Sequence, residues 1–366
     1  MGLTAAVALA RAGADVTVLE AGPDLAAESR ASTFHPPSLE MLAELGVLDA
    51  LLARGIVSTS FQYRDRATGP IAELDLSVLA DDTPYPFRVQ CEQSRLTPIL
   101  RDALVAHGGR VLYDVVVDDV AQDGTGVVVN GTHRGDWLIG ADGASSAVRK
   151  SLGVAFEGIT YPERFLVVST DEDLEVLLPG IAAVNYVFDP DEWLVLLRTP
   201  DHWRVLFPTD PDTADEVETA RVQERLRGVA DPGREWSVLH TSLYRVHQRV
   251  AATFRLGRVL LAGDAAHVNN PLGGMGMNSG LHDAVAFASA LIGGGDLDTV
   301  AARRRWVATD YVKTQTHGNW EQIRERDPLA RQRLHDELRA RAADPVKARD
   351  YLLTTSMIDS LRTVVR

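Results

Sequence analysis

The sequence predicts an α/β fold in which a nucleotide-binding unit is interrupted by an antiparallel sheet and then resumed. Three stretches carry that expectation. The chain opens "MGLTAAVALARAGADVTVLEAG", an Ala-rich helix followed by a strand ending in Glu20, which are the last two-thirds of a dinucleotide-binding βαβ unit. Residues 182–210, "AAVNYVFDPDEWLVLLRTPDHWRVLFPTD", read as three strands joined by Asp/Pro turns, the mark of an antiparallel sheet. "GRVLLAGDAAH" at 257–267 is a buried strand ending in a turn, a return to the opening pattern.

Each element follows from local pattern. Leu3, Val7 and Ala10 recur at helical spacing over 1–12, and Gly13 stops that helix before strand 15–19. Pro36-Pro37 lead into a helix over 38–53, with Leu39, Leu42, Leu45, Leu48 and Leu52 on one face. Short strands and loops fill 56–90, and a helix over 94–107 ends at Gly108-Gly109. The stretch 110–130 reads as a hairpin turned at Asp123-Gly124-Thr125-Gly126. A strand, a glycine turn and a helix occupy 136–153, and a helix over 276–292 is ended by Gly293-Gly294-Gly295. The expected units are a nucleotide-binding part at 1–156, an antiparallel substrate part at 157–250, a resumed nucleotide-binding part at 251–295, and charged helices at 296–366.

Composition narrows the function. With 51 acidic against 37 basic residues and a net charge of −14, the chain is not a bulk binder of nucleic acid or anionic membrane. No apolar run approaches the ~18 residues of a membrane span. The Ala-rich start lacks a basic leader and carries Arg11 and Asp15, so it reads as structure rather than as a signal peptide. The one cysteine, Cys91, excludes a disulfide framework and suits a reducing cytoplasm. No His/Cys/carboxylate cluster has metal-ligand spacing, so no metal is expected.

Three motifs carry chemistry. Gly2 and Glu20 stand where the third fingerprint glycine packs helix on sheet and where an acidic residue takes a ribose hydroxyl. In "GADGASSAVRK" (140–150), Asp142-Gly143 turns a strand into a helix N-terminus suited to phosphate or ribose, although such a turn is also common without a ligand. "GDAAHVNNPLGGMGMNSG" (263–280) delivers Asp264 from a strand end, and then a glycine-rich loop opens a helix. Ordering so many glycines is entropically costly in a plain surface loop, which favours a close backbone approach to a flat, anionic ligand.

Taken in order, these motifs resemble the FAD-dependent aromatic monooxygenases of the para-hydroxybenzoate hydroxylase type, the single-component NAD(P)H-using group, from residue 1 to 315. The resemblance implies a Rossmann-like FAD domain of the glutathione reductase type, with an inserted antiparallel substrate sheet and a C-terminal helical segment. It implies that Asp264 binds the ribityl chain, that Pro271 and Gly273 lie by their backbone near flavin C4a, that Gly276 binds the cofactor, and that Met277 and Asn278 lie near the pyrimidine edge. Asp142 and Gly143 would support the cofactor, Arg30 in "ESRASTFHPPSLEML" its pyrophosphate, and Gln93 in "CEQSRLTPIL" would approach FAD; Arg95 is displaced by two positions and reads as a surface residue.

The implied reaction consumes NAD(P)H and O2 and hydroxylates a small phenol through a flavin C4a-hydroperoxide, with water excluded from the site. His202, His240, Tyr186 and Tyr244 are candidate bases, and Arg198 and Arg204 candidate anchors for a substrate carboxylate, although each also suits packing or surface roles. A flavin halogenase is disfavoured, because "DEWLVLLRTP" (191–200) lacks the expected Trp-x-Trp-x-x-Ile-Pro. A flavin dehydrogenase or reductase without oxygen transfer, and a non-catalytic binding paralogue, remain as alternatives. A homodimer is compatible with the sequence. The family pattern begins with a strand and Gly-x-Gly-x-x-Gly, whereas this sequence starts at the last glycine. An N-terminally truncated member with weakened FAD binding is therefore the expectation, with binding restored by an upstream strand.

Overall fold

A computed structural model describes residues 1–27 and 31–362. The opening residues form helix Gly2–Arg11, favoured by its four alanines, which have no side-chain rotamer freedom to lose, and it buries Leu3, Ala6, Val7 and Ala10. Strand Thr17–Leu19 follows and pairs in parallel with Arg110–Leu112. Residues 110–112 are thus no part of the expected hairpin, which is confined to Val120–Gln122 and Val127–Val129 and extended by His133–Gly135. An apolar alternation names a strand but not its partner. The expected single helix over 38–53 is two, Pro36–Glu44 and Leu48–Leu52, separated at Gly46.

A second parallel ladder joins Leu138–Gly140 to Val259–Leu261. Among the described residues the two parallel ladders are separate, and Thr17–Leu19 and Leu138–Gly140 each have one strand neighbour. Helix Met275–Gly293 packs against the opening helix and carries the glycine-rich loop at its N-terminal end.

The large sheet has eight strands in the spatial order His267–Val268, Val238–Ala251, Phe156–Thr170, Trp203–Thr209, Leu194–Arg198, Val184–Phe188, Ser60–Asp65 and Gly69–Asp75. The three strands expected within 182–210 are present, and they lie in a different sheet from Thr17–Leu19. One boundary differs from the expected division at residue 157. Ser60–Asp65 pairs in parallel with Val184–Phe188, so residues 60–75 belong to the large sheet. That pairing buries Phe61 and Tyr63 against Tyr186, a gain from long-range packing that no local pattern encodes.

The charged C-terminal region closes one face of this sheet. Helices Lys313–Ile323, Pro328–Ala342 and Pro345–Thr355 send Ile323, Leu338 and Leu352 into the core that holds Phe61, Tyr63 and Tyr186. Among the described residues no helix is long and apolar enough to cross a membrane.

The longest strand pairing contains one position that admits only glycine. Gly158 has φ +149, and a Cβ there would lie 1.9 Å from the Gln248 carbonyl oxygen on the neighbouring strand. Gly158→Ala is expected to cost at least about 2 kcal/mol, because backbone rather than a flexible side chain must yield. An unchanged melting temperature would show that the pairing adapts without cost.

Candidate active site

Several backbone features meet at one end of the nucleotide-binding unit. Glu20 closes its strand, and one carboxylate oxygen accepts from the Gly22 amide at 3.0 Å. A methyl group at Gly2 would sit 3.6 Å from Ala141 Cβ, so the N-terminus of the opening helix abuts the turn after Leu138–Gly140. The Met1 side chain packs against Gly263 and Gly280, which brings the Gly263–Ala265 turn to the same place. Asp264 is exposed on that turn. Gln93 begins helix Gln93–Ala106, and its amide donates to the Ala31 carbonyl at 2.9 Å. Arg30 lies outside the described residues. Arg95, half-buried, pairs with the buried Glu92 at 3.2 Å and with the exposed Asp201.

A buried network fixes the Asp264 turn from behind. The fully buried Asp283 carboxylate accepts from the Gly263 amide at 3.0 Å and from Arg304 Nε at 2.6 Å, and lies 2.8 Å from His267 Nε2. Burial by itself raises this carboxyl, but the Arg304 cation and His267 outweigh it and hold its pKa at about 2.

The glycine-rich loop is a tight turn followed by a helix. Gly274 N–H donates to the Pro271 carbonyl at 3.0 Å, and the turn places Gly273 at φ +104 and Gly274 at φ +66, conformations that a side chain resists. Helix Met275–Gly293 then starts with no side-chain cap, which leaves its first-turn amides for an anionic or polar ligand. Gly276 is pressed against Asn269, since a Cβ there would lie 2.9 Å from its Oδ1.

Three of the sequence-expected contact residues engage their side chains within the chain. The Asn278 side chain donates to the Thr33 and Gly274 carbonyls at 2.9 and 2.7 Å and accepts from the His35 amide at 2.9 Å. Its hydrogen-bonding capacity is spent on clamping the loop to strand Thr33–Phe34. Met277 turns into the core with Leu3, Leu39 and Leu281. Asp142 turns back on its own helix, accepting from Ser146 Oγ at 2.5 Å and Val148 N at 3.0 Å, and Gly143 makes the turn itself. Short polar side chains at helix starts satisfy local amides first, and the sequence does not reveal when that use exhausts them.

The remaining groups suit FAD. Glu20 would offer an acceptor to ribose hydroxyls, Asp264 one to a polyol, and the helix starts at Gly2 and Met275 amides to phosphate and the ring edge.

Gly273 also borders a narrow cleft between the large sheet and the C-terminal helices. Phe61, Tyr63, Tyr186 and Phe188 form its aromatic wall, and Asn319, Gln322, Ile323 and Thr355 the opposite one. Arg88, 2% exposed, also lines it, with its guanidinium carbon 4.2 Å above the Phe61 ring. The Tyr63 and Tyr351 hydroxyls are 2.5 Å apart.

Of the sequence candidates for proton transfer or anchoring, Tyr186 alone lines this cleft. His202 lies 3.7 Å from Glu92, His240 is exposed opposite Ser169, and Tyr244 packs on Phe165. Arg198 donates to the Thr199 carbonyl, and Arg204 is buried on strand Trp203–Thr209. Sequence reasoning missed Arg88 and the C-terminal wall. An arginine inside the apolar run "PFRVQC" was the available signal.

Comparison with known proteins agrees with this geometry. The family described as FAD binding domain matches residues 1–314. Para-nitrophenol 4-monooxygenase of Pseudomonas sp. (strain WBC-3) is 34% identical, covering 100% of this chain and 95% of that one. Pentachlorophenol 4-monooxygenase of Sphingobium chlorophenolicum is 30% identical over 85% of this chain and 61% of its own. The crystal structure of p-nitrophenol 4-monooxygenase PnpA from Pseudomonas putida DLL-E4 superposes with a TM-score of 0.92 at 32% identity, covering 99% of this chain and 96% of that one. A rim of acceptors and helix amides joined to an aromatic cleft, in a chain of this likeness, belongs to the family of FAD-dependent aromatic monooxygenases, which hydroxylate an aromatic substrate with FAD as cofactor and NAD(P)H as co-substrate.

Proposed function

We propose that the substrate is a small phenol held in the cleft beside Gly273, with FAD lying along the rim of Gly2, Glu20 and Asp264. The carrying observation is that Gly273 belongs both to the Pro271–Gly274 turn at a helix start and to the cleft wall. FAD, when bound, supplies the oxygen-transfer chemistry. The chain's own residues then have three tasks. Phe61, Phe188 and Ile323 sandwich a flat ring and exclude water. Tyr186, beside Arg88 and Gly273 in the cleft wall, orients the substrate hydroxyl. The helix start at Met275 directs amides toward the cofactor. The naming of two relatives for p-nitrophenol and pentachlorophenol supports a phenol of this size. Burial pushes the Cys91 thiol up to about 11, so it is an inert thiol with no part in the chemistry.

The test is phenol-dependent formation of a hydroxylated product with matched consumption of NAD(P)H and O2. Oxidation of NAD(P)H without product across a panel of phenols would favour a reductase instead. Asp264→Ala is expected to weaken FAD binding about ten- to a hundredfold, the loss of charge-assisted hydrogen bonds of about 1.5–3 kcal/mol. Flavin fluorescence titration reads this directly, and an unchanged dissociation constant would remove Asp264 from the cofactor site.

A further inference from the structure

We propose that Asn319 is a positioning residue for the reaction. It fixes the Leu272–Gly273 peptide where the glycine-rich loop borders the cleft, so that oxygen reaches the aromatic ring instead of being lost as hydrogen peroxide. This role rests on the reading of the loop as the flavin's neighbour and of the cleft as the substrate site. Asn319 lies on helix Lys313–Ile323, whose buried residues are Thr316 and Ile323. The spacing 316, 319, 323 puts all three on one helix face, so a polar residue stands where burial alone would favour an apolar one. Thr316 satisfies its hydroxyl within the helix, donating to the Val312 carbonyl at 2.9 Å. Asn319 instead reaches out of its helix, and its Nδ2 donates to the Leu272 carbonyl at 3.3 Å.

Leu272 is thereby held on both sides. Its amide donates to Asn270 Oδ1 at 2.9 Å, its side chain is buried in the core with Ile323 and Leu352, and its carbonyl belongs to Asn319. A trans peptide directs its carbonyl and the following amide to opposite sides. The Leu272 carbonyl drawn to Asn319 therefore turns the Gly273 amide away from the C-terminal wall. Asn319 also covers Gly273 itself, since a Cβ there would lie 3.0 Å from its Nδ2, and a Cβ at Gly274 would lie 3.3 Å from His35 Nε2. Each glycine is thus overlaid by a side chain from a distant part of the chain. Asn319 and Gly273 both line the cleft. Loss of the Asn319 donor leaves the Leu272 carbonyl unpaired beside a cleft that must stay dry, and water or a rotated peptide then satisfies it. Exclusion of water keeps oxygen transfer ahead of the side reaction, in which NAD(P)H, O2 and a proton give NAD(P)+ and hydrogen peroxide with the ring unchanged.

The test compares Asn319→Leu and Asn319→Asp with wild type, each as the full chain loaded with FAD. Both replacements keep the size of the amide, and neither leucine nor an ionised aspartate can donate. With 4-nitrophenol, NAD(P)H and O2, the hydrogen peroxide formed per 4-nitrophenol consumed is expected to rise about three- to tenfold in both variants, the effect of one lost hydrogen bond. Before any substrate is added, the visible absorption band of bound FAD should also move, while the FAD dissociation constant stays within about threefold of wild type. A side chain that only packs would alter the melting temperature and leave both readings alone. An unchanged peroxide yield and an unmoved flavin band in the two variants, with 4-nitrophenol still consumed, would overturn the proposal and leave the cleft as the substrate site. A flavin-loaded wild type that consumes no 4-nitrophenol would overturn the site reading, and this role with it.

Discussion

Arg304→Met is expected to destabilise the protein by about 3–5 kcal/mol, the largest single-site effect among the polar positions. Arg304 is 3% exposed, and its Nε donates to Asp283 at 2.6 Å, with further bonds to the Ser279 carbonyl and hydroxyl at 3.1 and 3.0 Å. Removing it leaves the Asp283 carboxylate fully buried with only His267 and the Gly263 amide as partners. The cost of such a change is chiefly that of the abandoned charge. Two controls separate this from lost packing. Asp283→Leu combined with Arg304→Met should lose less than the two single changes added together, since no charge is then stranded. Because Asp283 also holds the Gly263 amide, both single variants should bind FAD more weakly even well below their melting temperatures. A loss below about 1 kcal/mol for Arg304→Met in denaturant titration would mean that the site is hydrated.

Stability should also fall steeply on acidification through the histidine range. His282 is pushed down to about 3 by burial and the nearby Arg304 cation, and His35 is held well below its ordinary value by burial, Arg88 and His282. Both are fully buried or nearly so, on elements that meet at the glycine-rich loop. In the unfolded chain each takes a proton near pH ~6.5, whereas in the folded protein each stays neutral. The unfolded state therefore binds more protons below that point, so the stability is complete above about pH 6.5 and is lost as pH falls toward the folded pKa. One unit below, each group costs about 1.4 kcal/mol, or about 3 kcal/mol for the pair. Asp283 acts in the same direction but only in strong acid, since its folded pKa lies near 2. Thermal melts across this range should show His282→Gln, which can keep the 3.3 Å contact to Ser38 Oγ, with about half the wild-type slope. Equal slopes would place the acid sensitivity elsewhere.

The sequence alone determined whatever depends on neighbours in the chain. The Ala-rich helix before a strand ending in Glu20, the Asp264 turn, the Pro271–Gly274 loop opening a long helix, and the three strands within 182–210 each follow from local periodicity, turn chemistry or the conformational demands of glycine. Those are the features that carry the family resemblance, because cofactor contacts made by backbone leave their trace in glycine spacing.

Tertiary structure decided everything that depends on which distant groups compete for one side chain. Asn278 and Asp142 read from sequence as cofactor contacts, and the fold gives their side chains internal amide and carbonyl partners that the local sequence does not name. Residues 60–75 crossed from the nucleotide-binding unit to the large sheet because Phe61 and Tyr63 bury better against Tyr186. Helices within 313–355, charged and featureless in sequence, supply one wall of the aromatic cleft. Asn319 shows the reason most plainly. Its significance is the Leu272 carbonyl that it holds at the edge of the cleft, a long-range arrangement that no local pattern records.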